Sequence, residues 1–558
     1  MSGLLSDMRF QVAWTRLLSV VEEQAQTLIR TAFSATVRDA GDLSCAVFDA
    51  RGRLLAEAVT GTPGHVNSLA EGVVHFLDRF PAEVMQDGDH YVTNDPWMTA
   101  GHLHDITVVT PVFFAGKLVA LLGCCCHQVD IGGLGQGPDG RSIYEEGLQI
   151  PIMKLVSRGQ INEDLMGILR ANVRTPMQAE GDVLSYIAAN ETGAHRLCAL
   201  LAEFDLDGLD TVADYIIERS LAATQREIAK LPKGTWRSEL VVDGYSEPLT
   251  LRAAVTIADD GIYVDYTGTD GAVPYGINVV LNYCKAYTIF GLKCVVSPDV
   301  PNNAGGLAPF HVSAPENCVL NVQRPWPVAA RHMVGQMLPD LIFGCLQQAL
   351  PGRIPAEGSS CLWIVQLRGK LPEDQVDQTE SGTFETVFMA SGGSGARAAQ
   401  DGLDATAFPS GVKAMPVEVI ESTSPIVLWR KELRPDSGGV GGRRGGVGQV
   451  IEVASRDGQP FQVFAMFERV THPAAGRDGG LPGASGVVRL ASGGTLRSKG
   501  VQEVPGGDRL VLETAGGGGI GSPSERDPAR VTADVLGGLV SVTAAARDYS
   551  WDTKADAA

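Results

Sequence analysis

Basic residues are scarce in this chain relative to acidic ones. Among its 558 residues, 45 lysines and arginines face 65 aspartates and glutamates, which gives a formal net charge of −20 at pH 7. Binding to nucleic acid depends on lysine and arginine side chains that neutralise phosphates. The surplus of carboxylates therefore argues against a nucleic-acid partner.

A long uninterrupted hydrophobic run is also missing. The longest apolar stretch, between Asp105 and His127, is broken by Pro111 and Lys117, a pattern typical of two strands and not of a membrane span. The N-terminal segment is amphipathic and does not have the basic and then apolar order of a secretory signal. We therefore expect a soluble protein of the cytoplasm with no membrane partner.

Two patterns that commonly hold metals or nucleotides are absent as well. No cysteines have the Cys-x-x-Cys spacing of a structural zinc site, and reduced thiols are expected because Cys124, Cys125 and Cys126 are adjacent and cannot readily pair. The glycine-rich segments 438–448 and 516–521 lack the Lys-Ser/Thr ending of a phosphate-binding loop. We interpret them as tight turns, so any nucleotide would bind to another chain.

The apolar patterns that are present predict an α+β fold with several domains, in which helices mix with antiparallel sheets. Hydrophobic residues make up 44% of the chain, enough for more than one core. Glycine becomes frequent from Phe384 onward, which predicts a glycine-rich, β-dominated C-terminal region. We place an N-terminal α+β domain at 1–232, a central α+β domain at 233–425 and a β-rich C-terminal domain at 426–558.

Several elements follow from the periodicity of the apolar residues. A 3.6-residue spacing predicts one helix from about Phe10 to Ala32 and a helical block over 178–231 that stops at Pro232. Alternating segments at 239–242, 249–257 and 262–266 predict antiparallel strands. Helices are expected again near 279–293 and 334–350.

The densest group of chemically active residues lies just before a predicted hairpin. Segment 94–105 contains Asn94, Asp95, His102, His104 and Asp105 within twelve residues. The strands 108–114 and 117–123 flank a two-residue Ala-Gly turn, so their far ends should meet. This arrangement would bring the group close to the histidine at position 127.

Two registers of the hairpin are open. If the loop has two residues, Phe114 faces Lys117, and counting outward puts His104 opposite His127. If the loop is one residue longer, Asp105 lies opposite His127 instead. In either register, imidazoles and a carboxylate converge and could hold a divalent ion, although histidines in loops often bond only to the backbone. The neighbouring cysteines could offer a thiolate, but packing in the core is the better interpretation.

The sequence resembles the hydantoinase B/oxoprolinase family at these positions and along most of its length. The resembling segments are 42–49 (DLSCAVFD), 94–96 (NDP), 101–108 (GHLHDITV), 127–133 (HQVDIGG), 146–151 (EGLQIP), 275–278 (YGIN), 438–443 (GGVGGR), 516–521 (GGGGIG) and 525–528 (ERDP). They occur in the order of the family. The resemblance therefore concerns the whole chain.

The resemblance implies a metal centre and a function. By position, the metal ligands would be Asp42, His102, Asp105 and His127, with zinc as the expected ion and manganese or iron as alternatives. The chain would be the metal-binding subunit of an ATP-dependent amidohydrolase that opens a cyclic amide such as a hydantoin, oxoproline or lactam. ATP and magnesium would bind to a hydantoinase A-like partner subunit, and the two would form a hetero-oligomer.

Further roles in such a site can be assigned only as expectations. Asp95 or Asp130 could take a proton from the attacking water, and His65 could polarise the substrate or make a structural hydrogen bond. Glu146 could contact the substrate, although a glutamate beside glycine is usually a turn residue. His104 stands where the family usually has proline, and we expect it to contact substrate or face solvent rather than replace a ligand.

Two other functions remain open at this level. The family also includes subunits of acetone and acetophenone carboxylases, in which the same metal site would act on a ketone. The chain could also be a non-catalytic assembly subunit, although all four expected ligand positions carry side chains able to coordinate a metal.

Overall fold

The computed structural model describes residues 2–59, 61–372 and 382–551. Its first region contains a seven-stranded sheet in the order β2-β1-β5-β4-β3-β6-β7. The elements are α1 (Ser2–Thr31), α2 (Ala35–Arg38), β1 (Leu43–Asp49), β2 (Leu54–Glu57), α3 (Pro63–Arg79), β3 (His90–Thr93), β4 (Asp105–Phe114), β5 (Lys117–His127), α4 (Ile143–Glu146), β6 (Met153–Ser157), β7 (Gln160–Ile161), α5 (Glu163–Asn172), α6 (Pro176–Glu203) and α7 (Asp210–Ala229).

The central strands of this sheet are covered on both faces. Every residue of β1 is buried, because helices α1 and α6 pack on one face of the sheet and α3 packs on the other. Cys45 and Val47 belong to the core under α1 and α6, whereas Ala46 and Phe48 belong to the core under α3. Alternate residues of one strand thus serve two cores.

The hairpin of β4 and β5 combines features of both expected registers. Phe114 faces Lys117 across a two-residue turn, as the first register requires. A bulge between Val112 and Phe113 then shifts the pairing, so that Asp105 lies opposite His127, as the second register requires. The pairing of Asp105 with His127 was therefore one of the two predicted registers, but its cause is a bulge in β4 and not a longer loop.

A second sheet, in the order β11-β10-β9-β8, follows. Its region comprises β8 (Gly234–Val242), β9 (Leu249–Ile257), β10 (Ile262–Asp265), α8 (Leu281–Val296), α9 (Ala304–Leu307), β11 (Phe310–Ser313), α10 (His332–Gly335) and α11 (Leu338–Ala349). Burial alternates along β9, whose buried face packs on α11. The antiparallel strands β8 to β10 were predicted, whereas β11 joins β10 in parallel and was not.

The last region is mainly β-structure. It comprises β12 (Trp363–Lys370), β13 (Thr383–Ala390), α12 (Val417–Thr423), β14 (Ile426–Leu433), β15 (Gln449–Ser455), β16 (Phe461–Met466), β17 (Val487–Leu490), β18 (Lys499–Val504), β19 (Leu510–Glu513), α13 (Pro528–Leu536) and α14 (Val542–Tyr549). Two sheets run in the orders β13-β12-β16-β18 and β14-β15-β19-β17. Because β12 pairs with β16, one sheet joins segments on both sides of residue 425. The α+β class is confirmed, while the division into three domains stays a prediction.

The glycine runs of this region pack against each other. An added Cβ at Gly445 would lie 1.9 Å from the carbonyl oxygen of Gly517, so only glycine permits this approach of two backbones. Within 438–448 and 516–521, Gly521 alone has a positive φ. The interpretation of both runs as tight turns was therefore wrong, and close backbone packing is the reason for the glycines.

None of the helices in the described ranges combines the length and the apolarity needed to cross a bilayer.

Candidate functional site

Asp105 lies at the centre of a buried polar cluster at the end of the β4–β5 hairpin. One carboxylate oxygen, Oδ1, lies 2.8 Å from His102 Nε2 and 3.1 Å from His127 Nδ1. The other oxygen, Oδ2, lies 2.6 Å from Arg331 Nη2 and 3.0 Å from His65 Nε2. A single carboxylate therefore joins three histidines and an arginine.

Backbone hydrogen bonds fix the chain around this carboxylate. The His127 amide donates to the Asp42 carbonyl oxygen at 3.2 Å, which ties the start of β1 to the end of β5. The Gln128 amide donates to the His104 carbonyl oxygen at 2.7 Å. In return, His104 Nδ1 donates to the Gln128 carbonyl oxygen at 2.9 Å. The side chains of the cluster thus project from ordered backbone.

Three imidazole rings of the cluster share one bonding pattern. His102 Nδ1 donates to the Ala329 carbonyl oxygen at 3.0 Å, and His104 Nδ1 donates to the Gln128 carbonyl oxygen. His127 Nδ1 donates to Asp105 Oδ1. Among the described residues, none is a hydrogen-bond partner of the buried Nε2 atom in these rings; His102 Nε2 instead faces the acceptor Asp105 Oδ1 at 2.8 Å. A bonded Nδ1–H leaves a lone pair on Nε2, which is the tautomer that binds metal ions.

The charges in the cluster favour an ionised Asp105 and neutral rings at His102 and His104. Burial alone would raise the pKa of Asp105, but His102, His65 and Arg331 hold it well below its usual range. Burial and the charge of Arg331 lower the pKa of His102 well below its usual value. Burial and His127 lower the pKa of His104 to about 4. A carboxylate and neutral imidazoles are the protonation states that coordinate metals.

A second wall faces this cluster across a small cavity. It includes Gln136, Tyr283, Tyr287, Arg331, His332 and Gln336. Gln336 is fully paired, since its amide donates to the Tyr287 hydroxyl at 3.3 Å and its carbonyl accepts from the Leu362 amide at 2.9 Å. The amide atoms of Gln136 and both ring nitrogens of His332 are buried without a partner. The cavity therefore has unsatisfied polar groups on both sides.

Comparison with known proteins assigns the chain to a family. A family model described as hydantoinase B/oxoprolinase matches residues 6–523. The chain belongs to the hydantoinase B/oxoprolinase family. The resemblance seen in the short motifs is confirmed over nearly the whole length.

Two relatives within the family carry informative names. The beta subunit of the caprolactamase of Pseudomonas jessenii is 30% identical, over 94% of this chain and 93% of its own length. A putative D-/L-hydantoinase subunit of Pseudomonas sp. strain NS671 is 29% identical, over 97% of this chain and 94% of its own length. This chain thus corresponds to nearly the whole of each of these two polypeptides.

Two solved structures have the same fold. The ATP-dependent caprolactamase of Pseudomonas jessenii matches with a TM-score of 0.87 and 26% identity, over 98% of this chain and 97% of the matched chain. The nucleotide-free structure of acetone carboxylase matches with a TM-score of 0.84 and 20% identity, over 97% of this chain and 79% of the matched chain. At that lower identity, the second likeness shows the fold alone.

The structure brings together the residues that the family resemblance proposed as ligands. Asp42, His102, Asp105 and His127 all line the one cavity, and so does His65, the candidate for polarising the substrate. Asp42 directly precedes β1, and its Oδ1 lies 3.8 Å from His65 Nε2. Donor atoms of His102, Asp105 and His127 lie within 4.8 Å of one another. Their role as ligands stays a prediction that this geometry supports.

His104 lies within the cluster and is fully buried. Its ring stacks on that of His127 with centroids 5.3 Å apart and an interplanar angle of 12°. The expectation that His104 faces solvent was therefore wrong, because the bond from Nδ1 to the Gln128 carbonyl oxygen turns the ring inward. Contact with substrate stays a prediction, since His104 is not among the residues that line the cavity.

Three other candidate residues lie outside the cavity lining. Asp95 Oδ2 lies 2.6 Å from Arg324 Nη2, and Asp130 Oδ1 lies 2.8 Å from Arg174 Nη1. Glu146 Oε1 accepts hydrogen bonds from two backbone amides, those of residues 328 and 329, at 2.7 and 2.8 Å. Because these carboxylates are held by other groups, their roles as bases or substrate contacts stay predictions without support from the geometry.

The sequence interpretation missed the second wall of the cavity. Tyr283 and Tyr287 are one turn apart on α8, and Arg331 lies just before α10, more than two hundred residues after the hairpin. The Arg331 guanidinium lies 4.1 Å from the centroid of the Tyr283 ring. The sequence signal for this wall was the pair Arg331-His332 within an otherwise apolar stretch at 328–335. Nothing in that stretch indicates that Arg331 pairs with Asp105.

The cysteines beside the cluster are thiols. Cys125 Sγ lies within 4.8 Å of donor atoms of His65 and Asp105. Burial and the negative charge of Asp105 raise the pKa of Cys125 well above its usual value. Cys124 and Cys126 belong to the core under α1 and α6. The interpretation of these two residues as core packing is confirmed.

Proposed function

We propose that this chain is the metal-binding subunit of an ATP-dependent amidohydrolase that opens a cyclic amide, such as a hydantoin, oxoproline or lactam. The main support is a cluster of three buried imidazoles whose Nε2 atoms lack hydrogen-bond partners among the described residues, two of which contact the ionised Asp105 carboxylate. The names of the caprolactamase and hydantoinase relatives support the reaction and substrate class.

The donor set fits a divalent ion. His102 Nε2 and Asp105 Oδ1 lie 2.8 Å apart. With Nδ1–H bonded to a carbonyl, neutral His102 presents a lone pair at Nε2 to Asp105 Oδ1, so this contact is favourable only with a proton or a metal ion between the two atoms. We propose that His102, Asp105 and His127 hold the ion, with Asp42 as fourth ligand and zinc as the expected metal. When bound, the ion supplies a Lewis acid that activates water or the carbonyl group.

The neighbouring residues orient this donor set and position the substrate. Arg331 binds Asp105 Oδ2 and donates from Nε to the Ala100 carbonyl oxygen at 2.7 Å, so the other carboxylate oxygen stays directed at the two histidines. His65 Nε2 lies 3.0 Å from Asp105 Oδ2 and 3.8 Å from Asp42 Oδ1. The charge of Asp105 outweighs burial and raises the pKa of His65. His65 is accordingly our candidate for polarising the substrate oxygen.

ATP and magnesium would bind to a partner subunit. The chain has no Gly-x-x-x-x-Gly-Lys-Ser/Thr loop, and the caprolactamase and hydantoinase relatives are each named as one subunit of an enzyme. Hydrolysis of an unstrained amide needs activation, because resonance makes its carbon a poor electrophile. We therefore propose a hetero-oligomer in which a hydantoinase A-like subunit uses ATP to activate the cyclic amide and this chain opens it.

Activity of the purified complex tests this function. The complex would be isolated through a tag on this chain and supplied with ATP, magnesium and either cyclic amides or ketone plus bicarbonate. We expect ATP-dependent ring opening of at least one hydantoin, oxoproline or lactam. Carboxylation of a ketone without ring opening would instead establish the carboxylase alternative. A complex inactive in both assays and free of metal would favour the non-catalytic assembly subunit.

A further inference from the structure

Gln136 and His332 carry polar atoms in the cavity that the proposed metal centre does not use. Only 1% of the surface of Gln136 and 2% of that of His332 are exposed. Both amide atoms of Gln136 and both ring nitrogens of His332 lack hydrogen-bond partners. Nearly all buried polar side chains in proteins are satisfied, so these four atoms call for partners, either ordered water or a ligand that displaces it.

The backbone on either side of Gln136 is fixed by close packing. Gly135 has a φ of +90°, and an added Cβ there would lie 2.5 Å from Nη2 of Arg368. At Gly137, an added Cβ would lie 3.3 Å from the ring of Phe464. The loop is thus pressed against strands β12 and β16. Between these two glycines, the Gln136 side chain lines the cavity.

The free groups of Gln136 match the edge of a cyclic amide. A glutamine carboxamide presents an N–H donor and a C=O acceptor side by side in one plane. A small ring forces its amide into the cis form, so that the ring's own C=O and N–H also lie on one edge. Two such edges pair through two parallel hydrogen bonds. An open-chain secondary amide is trans and has these groups on opposite edges, and a ketone has no N–H.

We propose that Gln136 binds the cis-amide edge of the substrate ring and selects cyclic amides over open-chain amides and ketones. This inference rests on the proposed function and names the residue that recognises its substrate class. His332 lies on the same wall and offers one donor and one acceptor to other polar atoms of the ring. Burial and the charge of Arg331 lower the pKa of His332 to about 3, which keeps the imidazole neutral for this role.

Binding measurements on the purified complex without ATP test the role of Gln136. Calorimetric titration would compare δ-valerolactam with cyclohexanone, which has the same ring size without N–H, and with N-methylacetamide, a trans amide. We expect the wild-type complex to bind the lactam at least about ten-fold more tightly than either comparator. Gln136→Met, which keeps the length of the side chain and removes both polar atoms, should abolish that preference.

Matched variants separate recognition from folding. Gln136→Leu also removes both polar atoms, with a different side-chain shape, so it should likewise lose the preference. Gln24→Met removes a buried glutamine outside the cavity lining, whose amide donates to the Gly123 carbonyl oxygen and to Asn190, and it should keep the preference even if stability falls. Metal content and melting temperature identify any variant that does not fold. If one Gln136 variant does not fold, the ligand preference of the other tests the inference.

Three results would overturn the inference: an unchanged preference in both Gln136 variants, equal affinity of the wild type for all three ligands, or no binding of any of them. Ring opening with ATP, assayed in parallel, separates this inference from the proposed function. If lactam binding depends on Gln136 but no ring is opened, only the proposed function fails. If rings are opened with an unchanged KM in Gln136→Met, only this inference fails.

Discussion

Among single residues, Glu146 has an indirect link to the proposed metal centre. Its Oε1 holds the amides of Val328 and Ala329, and the Ala329 carbonyl oxygen holds His102 Nδ1. Burial raises the pKa of Glu146 to about 8. This carboxyl group therefore acts on the ligand geometry through the backbone and not through a charge directed at the substrate.

Glu146→Ala should weaken metal binding by about ten-fold, because a lost outer hydrogen bond releases the orientation of a ligand. Glu146→Gln keeps the accepting oxygen and should bind metal like the wild type. Glu145→Ala alters an exposed neighbour and serves as the control. Metal affinity would be measured by competition with a chromophoric chelator. Equal affinity in Glu146→Ala and Glu145→Ala would show that the backbone contact does not orient His102.

His90 makes stability depend on pH at a place remote from the site. Its ring is buried, Nδ1 bonds to the Thr110 hydroxyl at 2.7 Å, and burial lowers its pKa to about 4 despite the charge of Asp89. The unfolded chain, with a histidine pKa near 6.5, binds this proton more readily. The contribution of neutral His90 to the free energy of unfolding is therefore fully present above about pH 6.5, and it is lost as the pH falls towards 4.

Replacing His90 should flatten this dependence. Between about pH 6.5 and 4, the free energy of unfolding of the wild type should fall by up to about 1.4 kcal/mol more per pH unit than that of His90→Gln. Chemical denaturation at several pH values measures the difference, with His311→Gln, an exposed histidine, as control. Parallel curves for the wild type and His90→Gln would mean that His90 titrates equally in the folded and unfolded states.

At the scale of elements, the sequence indicates strands better than it indicates how they align. The alternation along 249–257 and the two-residue turn at Ala115 were readable because they are local. The bulge at Val112 was not, since neither Val112 nor Phe113 breaks the apolar pattern of β4. Yet this bulge decides that Asp105, and not His104, faces His127.

The glycine runs give a second test at this scale. Gly445→Ala would place a Cβ 1.9 Å from the Gly517 carbonyl oxygen, and we expect destabilisation by at least about 3 kcal/mol. Gly167 lies within α5 with no atom within 4 Å of an added Cβ, so Gly167→Ala should stabilise by about 0.5–1 kcal/mol. Denaturant titration compares both variants with the wild type. Similar stability of the two variants would contradict the close packing of the runs.

Across the whole molecule, the site is assembled from segments that no local pattern connects. Asp42, His102 and His127 come from the first sheet and were indicated by motif resemblance. Arg331 and Gln136 complete the cavity from a helix start and a loop in other parts of the chain. His102, Asp105 and His127 were accessible from sequence because the hairpin brings them together, and Asp42 because of the family resemblance. The opposite wall was not, because only tertiary packing brings it there.

The central claim is that His102 and His127 hold a divalent ion, and elemental mass spectrometry of the purified complex tests it most directly. The wild type and the control His311→Ala should each contain close to one equivalent of zinc, manganese or iron per chain. His102→Ala and His127→Ala should each lose most of that metal while keeping the wild-type assembly state. A wild type without metal, or unchanged metal content in both variants, would contradict the account.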